Sequence, residues 1–265
     1  MSSNYTANNA AAYERLMGRW SRFLAQEFIA FAGLGKGDRI LDLGCGTGSL
    51  AVTLAARDEP SEILGVDISE AFIAHAQVQS RDPRLSFRTG NAAALDLPDG
   101  RFDRCYSMLA VNFIPEASKA LAEMRRVTRP GGTVAVAVWD FAGGLTYQRL
   151  LWDTAAPLDP AAAAARARQY AAFLTWPGEL EAALAEVGVR NVTAASLTMR
   201  MTYANFADYW QPIVGATGPV GDYIRRLAPT ALAMLASVVE SAYLAGRPDG
   251  PRSMTATAWA AKGLA

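Results

Sequence analysis

The sequence predicts an α/β fold: a doubly wound, seven-stranded, mostly parallel sheet with helical cap insertions, spanning residues 1–265 as one domain. Three observations carry this. Strand-like segments recur at residues 40–43, 63–66, 85–88, 105–108 and 134–138, and the runs at 40–43, 63–66 and 134–138 are apolar, as expected for strands buried within an α/β sheet. Segments with helical spacing lie between them. The first run also breaks into Gly44-Cys45-Gly46-Thr47-Gly48 and resumes as helix at Ser49. A strand feeding a helix through such a loop sets free backbone N–H groups and the positive helix end at the carboxyl edge of a parallel sheet. A small polar ligand is expected there.

Composition sets the bounds. A chain of 265 residues, 51% hydrophobic and 19% charged, can bury a sizeable core. With 25 Lys+Arg against 25 Asp+Glu the formal net charge is zero, so no global field favours nucleic acid or an anionic membrane. The two cysteines, Cys45 and Cys105, lack metal-ligand spacing and fit a reduced, cytoplasmic setting. Residues 1–6 lack the basic and apolar regions of a signal peptide, and no run of about 18 apolar residues occurs, so membrane insertion is not expected.

Taking the elements in order, residues 10–31 carry Tyr13, Leu16, Met17, Trp20, Phe23, Leu24 and Phe28 at helical intervals, an amphipathic helix that must cover something. Residues 1–34 therefore read either as a helix packed on the sheet or as a lid over a ligand. Gly44, Gly46 and Gly48 allow positive φ and close backbone approach to that ligand. Ser49 stands where the dinucleotide fingerprint G-x-G-x-x-G needs its third glycine, which disfavours a nucleotide-dependent oxidoreductase. The second run ends in Asp67, at the adjacent strand tip, where a carboxylate can accept both hydroxyls of a ribose.

Here the residues resemble the class I S-adenosylmethionine (SAM)-dependent methyltransferases, whose first motif looks like Leu41-Asp42-Leu43-Gly44-Cys45-Gly46-Thr47-Gly48. The resemblance implies a Rossmann-like fold, SAM as cofactor and S-adenosyl-L-homocysteine (SAH) as product. It extends to residues 13–21, Tyr-Glu-Arg-Leu-Met-Gly-Arg-Trp-Ser, similar to a leader in one bacterial subgroup of the methyltransferase type 11 and ubiquinone-menaquinone methyltransferase-like group. Tyr13 and Arg19 become candidates for the methionine end of SAM, Arg19 for its carboxylate. Asp42, Gly44, Cys45, Gly46, Gly48, Asp67, Ile68 and Met108 are the further cofactor contacts that it implies.

Ser69 is the expected N-cap of a helix ending near Gln79, and residues 85–88 form a third strand. Asn91 then stands where the resembled family commonly places an acid for the adenine amino group. Its side-chain carbonyl can accept from that amine, or it is a turn residue, and the backbone of Ala92 can serve instead. A loop punctuated by Pro98 and Gly100 leads into the fourth strand. Asn112 after it is either a turn residue or a substrate contact. Following a helix over residues 117–127, Arg129-Pro130-Gly131-Gly132 is expected to turn sharply into a strand ending at Trp139-Asp140.

Residues 141–176, with the helix-forming run Ala161–Ala165, and residues 203–251, with Phe206, Tyr209 and Trp210, read as two cap insertions. Between them lie a helix to Val187 and a strand over residues 192–202. The closing segment, 254–262, reads as a final, antiparallel edge strand. Trp139 and Trp210 are substrate-wall candidates, and Asp140 either orients a nucleophile and takes its proton or caps a turn. His75, the only histidine, falls mid-helix and reads as a surface residue. No acids have converging spacing, so no metal is expected.

The expected activity is transfer of the SAM methyl group to a small, partly apolar acceptor by in-line displacement. The alternatives are a SAM-binding regulatory or scaffolding protein without turnover and the oxidoreductase already disfavoured. The expected partner is a small molecule rather than nucleic acid, in a monomer or homodimer.

Overall fold

The computed structural model describes residues 9–79 and 81–265; the start of the leader and the signal-peptide reading of residues 1–6 lie outside them. The strands are β1 (Arg39–Leu43), β2 (Glu62–Asp67), β3 (Leu85–Thr89), β4 (Phe102–Met108), β5 (Thr128–Trp139), β6 (Arg190–Tyr203) and β7 (Arg252–Leu264). They form one sheet in the order β3-β2-β1-β4-β5-β7-β6. The pairs from β3 through β5 are parallel, and β7 runs antiparallel to both β5 and β6. The chain builds outward from β1 through β2 to β3, then crosses back to lay β4 on the other side of β1. That reversal opens a crevice at the carboxyl ends of β1 and β4.

Alternation along the strands sorts the core. Ile40 goes to one face of β1 and Leu41 and Leu43 to the other; on β5, Ala135, Ala137 and Trp139 oppose Val134, Val136 and Val138. One face is covered by α5 (Ala117–Val127) and α8 (Glu179–Glu186). The other receives α3 (Ser49–Ala55) and the leader, which runs as α1 (Ala10–Tyr13), a π-helical turn at Glu14–Gly18 and α2 (Arg19–Ala32). Leu24 and Phe28 are fully buried there, each stabilising the fold by about 1.5–3 kcal/mol. Beyond β2, Ser69 caps α4 (Glu70–Gln77) by accepting from Phe72 N–H at 3.2 Å, and His75 stays on that helix beside Gln79.

Helices occupy both segments expected as insertions. The first holds α6 (Thr146–Ala155) and α7 (Pro160–Tyr170), the second α9 (Phe206–Val214), α10 (Gly218–Arg225) and α11 (Pro229–Leu244). They share a core with the leader: Trp20, Trp152, Tyr203, Tyr209 and Tyr243 are all buried in it.

Two expectations need correction. The closing strand is antiparallel but not at the edge, because β7 lies between β5 and β6. Its Ala256, Ala258, Ala260 and Ala261 are 0–1% exposed, small enough to be covered on both faces, and the edge falls to the polar, largely exposed β6. The Arg129-Pro130-Gly131-Gly132 segment is not a free turn but a shift of register within β5, between its pairings to Phe102 and Arg104. Asp103 O would lie 2.6 Å from a Cβ at Gly132, so the bulge needs glycine there.

Candidate functional site

The joint after β1 is shaped by close approach. Gly44, at φ +71°, would place a Cβ 2.4 Å from the Ala110 methyl; Gly48, at φ +91°, caps α3 and would press a Cβ to 3.1 Å from the Phe87 ring. The N–H groups of Gly44 and Cys45 donate to Val66 O at 2.7 and 3.1 Å, which locks the loop to the tip of β2. Asp67 then anchors it, Oδ2 accepting from Gly46 N–H and Oδ1 from Ser69 N–H, each at 2.9 Å. Each carboxylate oxygen keeps a lone pair for a ligand. The leader closes on the same loop, with the Thr47 hydroxyl donating to Glu14 and the Tyr13 ring 5.5 Å from Phe72.

This joint opens into a cavity of about 1600 Å³ that runs from the β1–β2 tips to the underside of the insertions. Of the expected cofactor contacts, Asp42, Gly44, Cys45, Gly46, Asp67, Ile68, Asn91, Ala92, Met108 and Tyr13 line it. Ile68 is 72% exposed, an apolar side chain offered to whatever enters. Asn91 accepts from Ala93 N–H at 3.0 Å, a turn bond that leaves its amide N–H₂ available. Asn112 and Trp139 line the wall near β4 and β5, and both polar atoms of the Asn112 amide are buried with no partner.

Four expected residues stand elsewhere. Gly48 lies behind the cavity wall, where it lets α3 approach Phe87 and Ala76. Arg19 points to the second insertion, pairing with Asp208 at 3.0 Å, its guanidinium 4.3 Å above the Trp20 ring. Trp210 is stacked on Phe206 in the cap core. Asp140 caps a turn: its Oδ1 accepts from Gly143 N–H at 2.7 Å and its carbonyl accepts from Gly144 and Leu145, outside the cavity lining. A carboxylate at a strand end satisfies the next loop's N–H groups more readily than it reaches a ligand.

Burial sets the electrostatics. Asp42, 1% exposed, is pushed up to about 8 by desolvation and by the Asp67 charge, against the pull of Ala51 N–H, which donates to its Oδ2 at 3.1 Å. Desolvation also raises Asp67, although the backbone N–H groups of Ser69 and Gly46 favour its charged form. Burial raises the Cys45 thiol and the Tyr13 hydroxyl. Such a cavity end favours a cation that lets both carboxylates ionise. Among the described residues no group of three or more His, Cys, Asp or Glu could hold a metal ion.

Other lining residues had no signal in the sequence. Leu109 sits at φ +64°, a strained position at the β4 tip that turns the chain into the cavity wall. Tyr147, Gln148 and Gln169 form the roof, hydrogen-bonded in a chain from Trp152 Nε1 to Met17 Sδ. They lie in insertion helices that match no motif.

Comparison with known proteins agrees with this geometry. A family described as a methyltransferase domain matches residues 41–136. The demethylmenaquinone methyltransferase of Beutenbergia cavernae is 33% identical over 175 residues, 63% of this chain and 71% of that protein. An uncharacterised protein of Mycobacterium tuberculosis is 32% identical over 117 residues, 43% of this chain, so the chain spans only 42% of that relative's length. Among solved structures, a putative methyltransferase from an antibiotic biosynthesis pathway of Anabaena variabilis superposes with a TM-score of 0.61 at 19% identity, covering 91% of this chain and 97% of that one. Fold, glycine loop and relatives converge: the chain belongs to the class I SAM-dependent methyltransferases.

Proposed function

We propose that this protein transfers the methyl group of SAM to a small, partly apolar acceptor held in the same cavity. The observation that carries the reading is the cavity's size and continuity. At about 1600 Å³ it exceeds the roughly 300–1,000 Å³ of a single small-molecule pocket, which leaves room for an acceptor beside the cofactor. Adenosine is assigned to Asp67, Ile68, Asn91 and Ala92, with the ribose hydroxyls on the free lone pairs of Asp67. The methionine end is assigned to the Gly44–Gly46 backbone, Tyr13 and Asp42, whose carboxylate offsets the cofactor's positive charge.

The acceptor side is assigned to Asn112, Trp139, Phe113, Phe141 and Tyr147. SAM held there would supply a sulfonium-activated methyl group to an acceptor lone pair, with neutral SAH as the leaving group and any proton of the acceptor passing to water. Alignment and exclusion of water supply the rate. The unpartnered Asn112 amide is suited to orient the nucleophile, since it can both donate to and accept from one hydroxyl or amine. Two free, buried cysteines suit a reducing, cytoplasmic setting.

The test is calorimetry with SAM and SAH, followed by screening small acceptors for SAH release. Failure to bind either cofactor form would sink the reading. Binding without methyl release to any acceptor would favour a SAM-sensing role. Asn112→Ala should lower kcat on any acceptor found while leaving SAM affinity within about twofold; unchanged turnover would remove Asn112 from the site.

A further inference from the structure

The cavity is polarised. Asp42, buried, and Asp67, half-buried, stand at the glycine-loop end, whereas the only cationic side chains among its described lining residues, Arg168 and Arg226, both exposed, stand on the insertions. Arg168 is in the last turn of α7 and Arg226 follows α10, two helices packed against each other. Among the described residues neither guanidinium has an ion pair or hydrogen bond, although Asp159 and Asp222 line the same cavity from the same two helices. Those acids are engaged: Asp159 accepts from Ala161 N–H at 2.8 Å, and Asp222 pairs with Arg225. The neutral roof groups are spent on one another, Trp152 Nε1 donating to Gln169 at 2.7 Å and Gln148 Nε2 to the Tyr147 hydroxyl at 2.7 Å.

We infer that the acceptor is an amphipathic anion, its carboxylate or phosphate held by Arg168 and Arg226 at the outer end and its apolar body lying toward Trp139 and Phe141. Planar guanidinium forks match both oxyanions. The two ends then take opposite charges, the cation of the cofactor at Asp42 and Asp67 and the anion of the acceptor at the arginines. This order aligns the acceptor with its nucleophile toward the methyl group and rejects a second cofactor molecule bound in reverse. Phe173, 54% exposed on the same rim, offers an apolar surface beside the entrance. The inference rests on the proposed cofactor site, so the two are tested separately.

The experiment titrates SAH first, into wild type and into Arg168→Gln/Arg226→Gln. Both should bind SAH equally, because neither arginine is assigned to the cofactor; absent binding in wild type would overturn the cofactor reading itself. The SAH complexes are then titrated with 4-phenylbutyrate, phenyl phosphate and neutral 4-phenylbutanamide. In wild type the anions should bind about tenfold or more tighter than the amide. The glutamine pair should erase that preference, and Arg168→Lys/Arg226→Lys should keep part of it. Tighter binding of the butyrate identifies a carboxylate acceptor, and tighter binding of the phenyl phosphate a phosphate one. With SAH bound, anions that bind no better than the amide, or no binding by any probe, would overturn the inference. So would a preference that survives in the glutamine pair.

Discussion

The two ends of the cavity are built in opposite ways. At the glycine loop nearly every polar contact is a backbone group or a carboxylate bound to backbone, made among the strand tips, the loop and the first turn of α3 that the sheet places side by side: Gly46 N–H on Asp67, Ala51 N–H on Asp42, Gly44 N–H on Val66 O. At the cap the contacts are made by side chains, often far apart in the chain, such as Arg19 with Asp208 and the Tyr209 hydroxyl with Tyr147 O. The difference suggests a division of labour. A backbone cradle tolerates little change and suits an invariant ligand, whereas a side-chain roof can be rebuilt residue by residue for a different acceptor.

Changes at the loop should therefore cost most. Gly44→Val should abolish SAH binding and lower Tm, since its Cβ meets Ala110 at 2.4 Å and φ is +71°. Gly46→Val, with only Phe72 nearby at 3.9 Å, should fold better than Gly44→Val. Equal SAH affinity in Gly44→Val and wild type, by calorimetry, would break the comparison at its strongest point.

Next in size, Asp67→Ala should weaken SAM by about 100-fold or more, because two charge-assisted bonds to ribose of about 1.5–3 kcal/mol each go together with the anchor of Gly46. Asp67→Asn keeps acceptor capacity without charge and should fall between Asp67→Ala and wild type. An Asp67→Ala protein that binds SAM normally would remove Asp67 from the cofactor site.

Asp42 gives a smaller effect with a definite sign. Below about pH 8 the free protein holds its proton, while a bound cation favours the carboxylate and lowers its pKa. Binding then releases a proton, so SAM affinity should climb with pH, by up to about tenfold per unit, and level off above about 8. The same raised pKa means that the free protein loses stability as pH rises from the ordinary carboxylate range to that value. In Asp42→Asn the SAM affinity should lose this slope. A wild-type affinity that is flat between pH 6 and 8 would contradict the assignment.

The smallest effect is expected at Asp140. A general base would cost about 10²- to 10⁴-fold in turnover when replaced by Asn, but the carboxylate is occupied by Gly143 N–H and stands off the cavity. Asp140→Asn should turn over within about twofold of wild type and lose only turn stability. A 100-fold loss of kcat at unchanged SAM affinity would restore Asp140 to the mechanism.

The strand–loop–helix joint, the Ser69 cap, the amphipathic leader and the parallel core were legible in the sequence. Each is a local matter of spacing, and Gly44 or Asp67 has few other places to be once β1 and β2 pair. Where β7 inserts was not legible, because alternation shows which face a residue takes and not how many neighbours its strand has. Nor was the direction of Arg19: a side chain of that length on a helix can turn to either neighbour, and packing between segments 189 residues apart chose Asp208, while Trp210 turned to Phe206, one turn earlier on its own helix. Composition and motif thus determined the fold and the glycine loop that meets Asp67 at the β1–β2 tips. The tertiary structure alone decided which side chains roof the cavity, because those contacts join segments whose spacing in the chain carries no period.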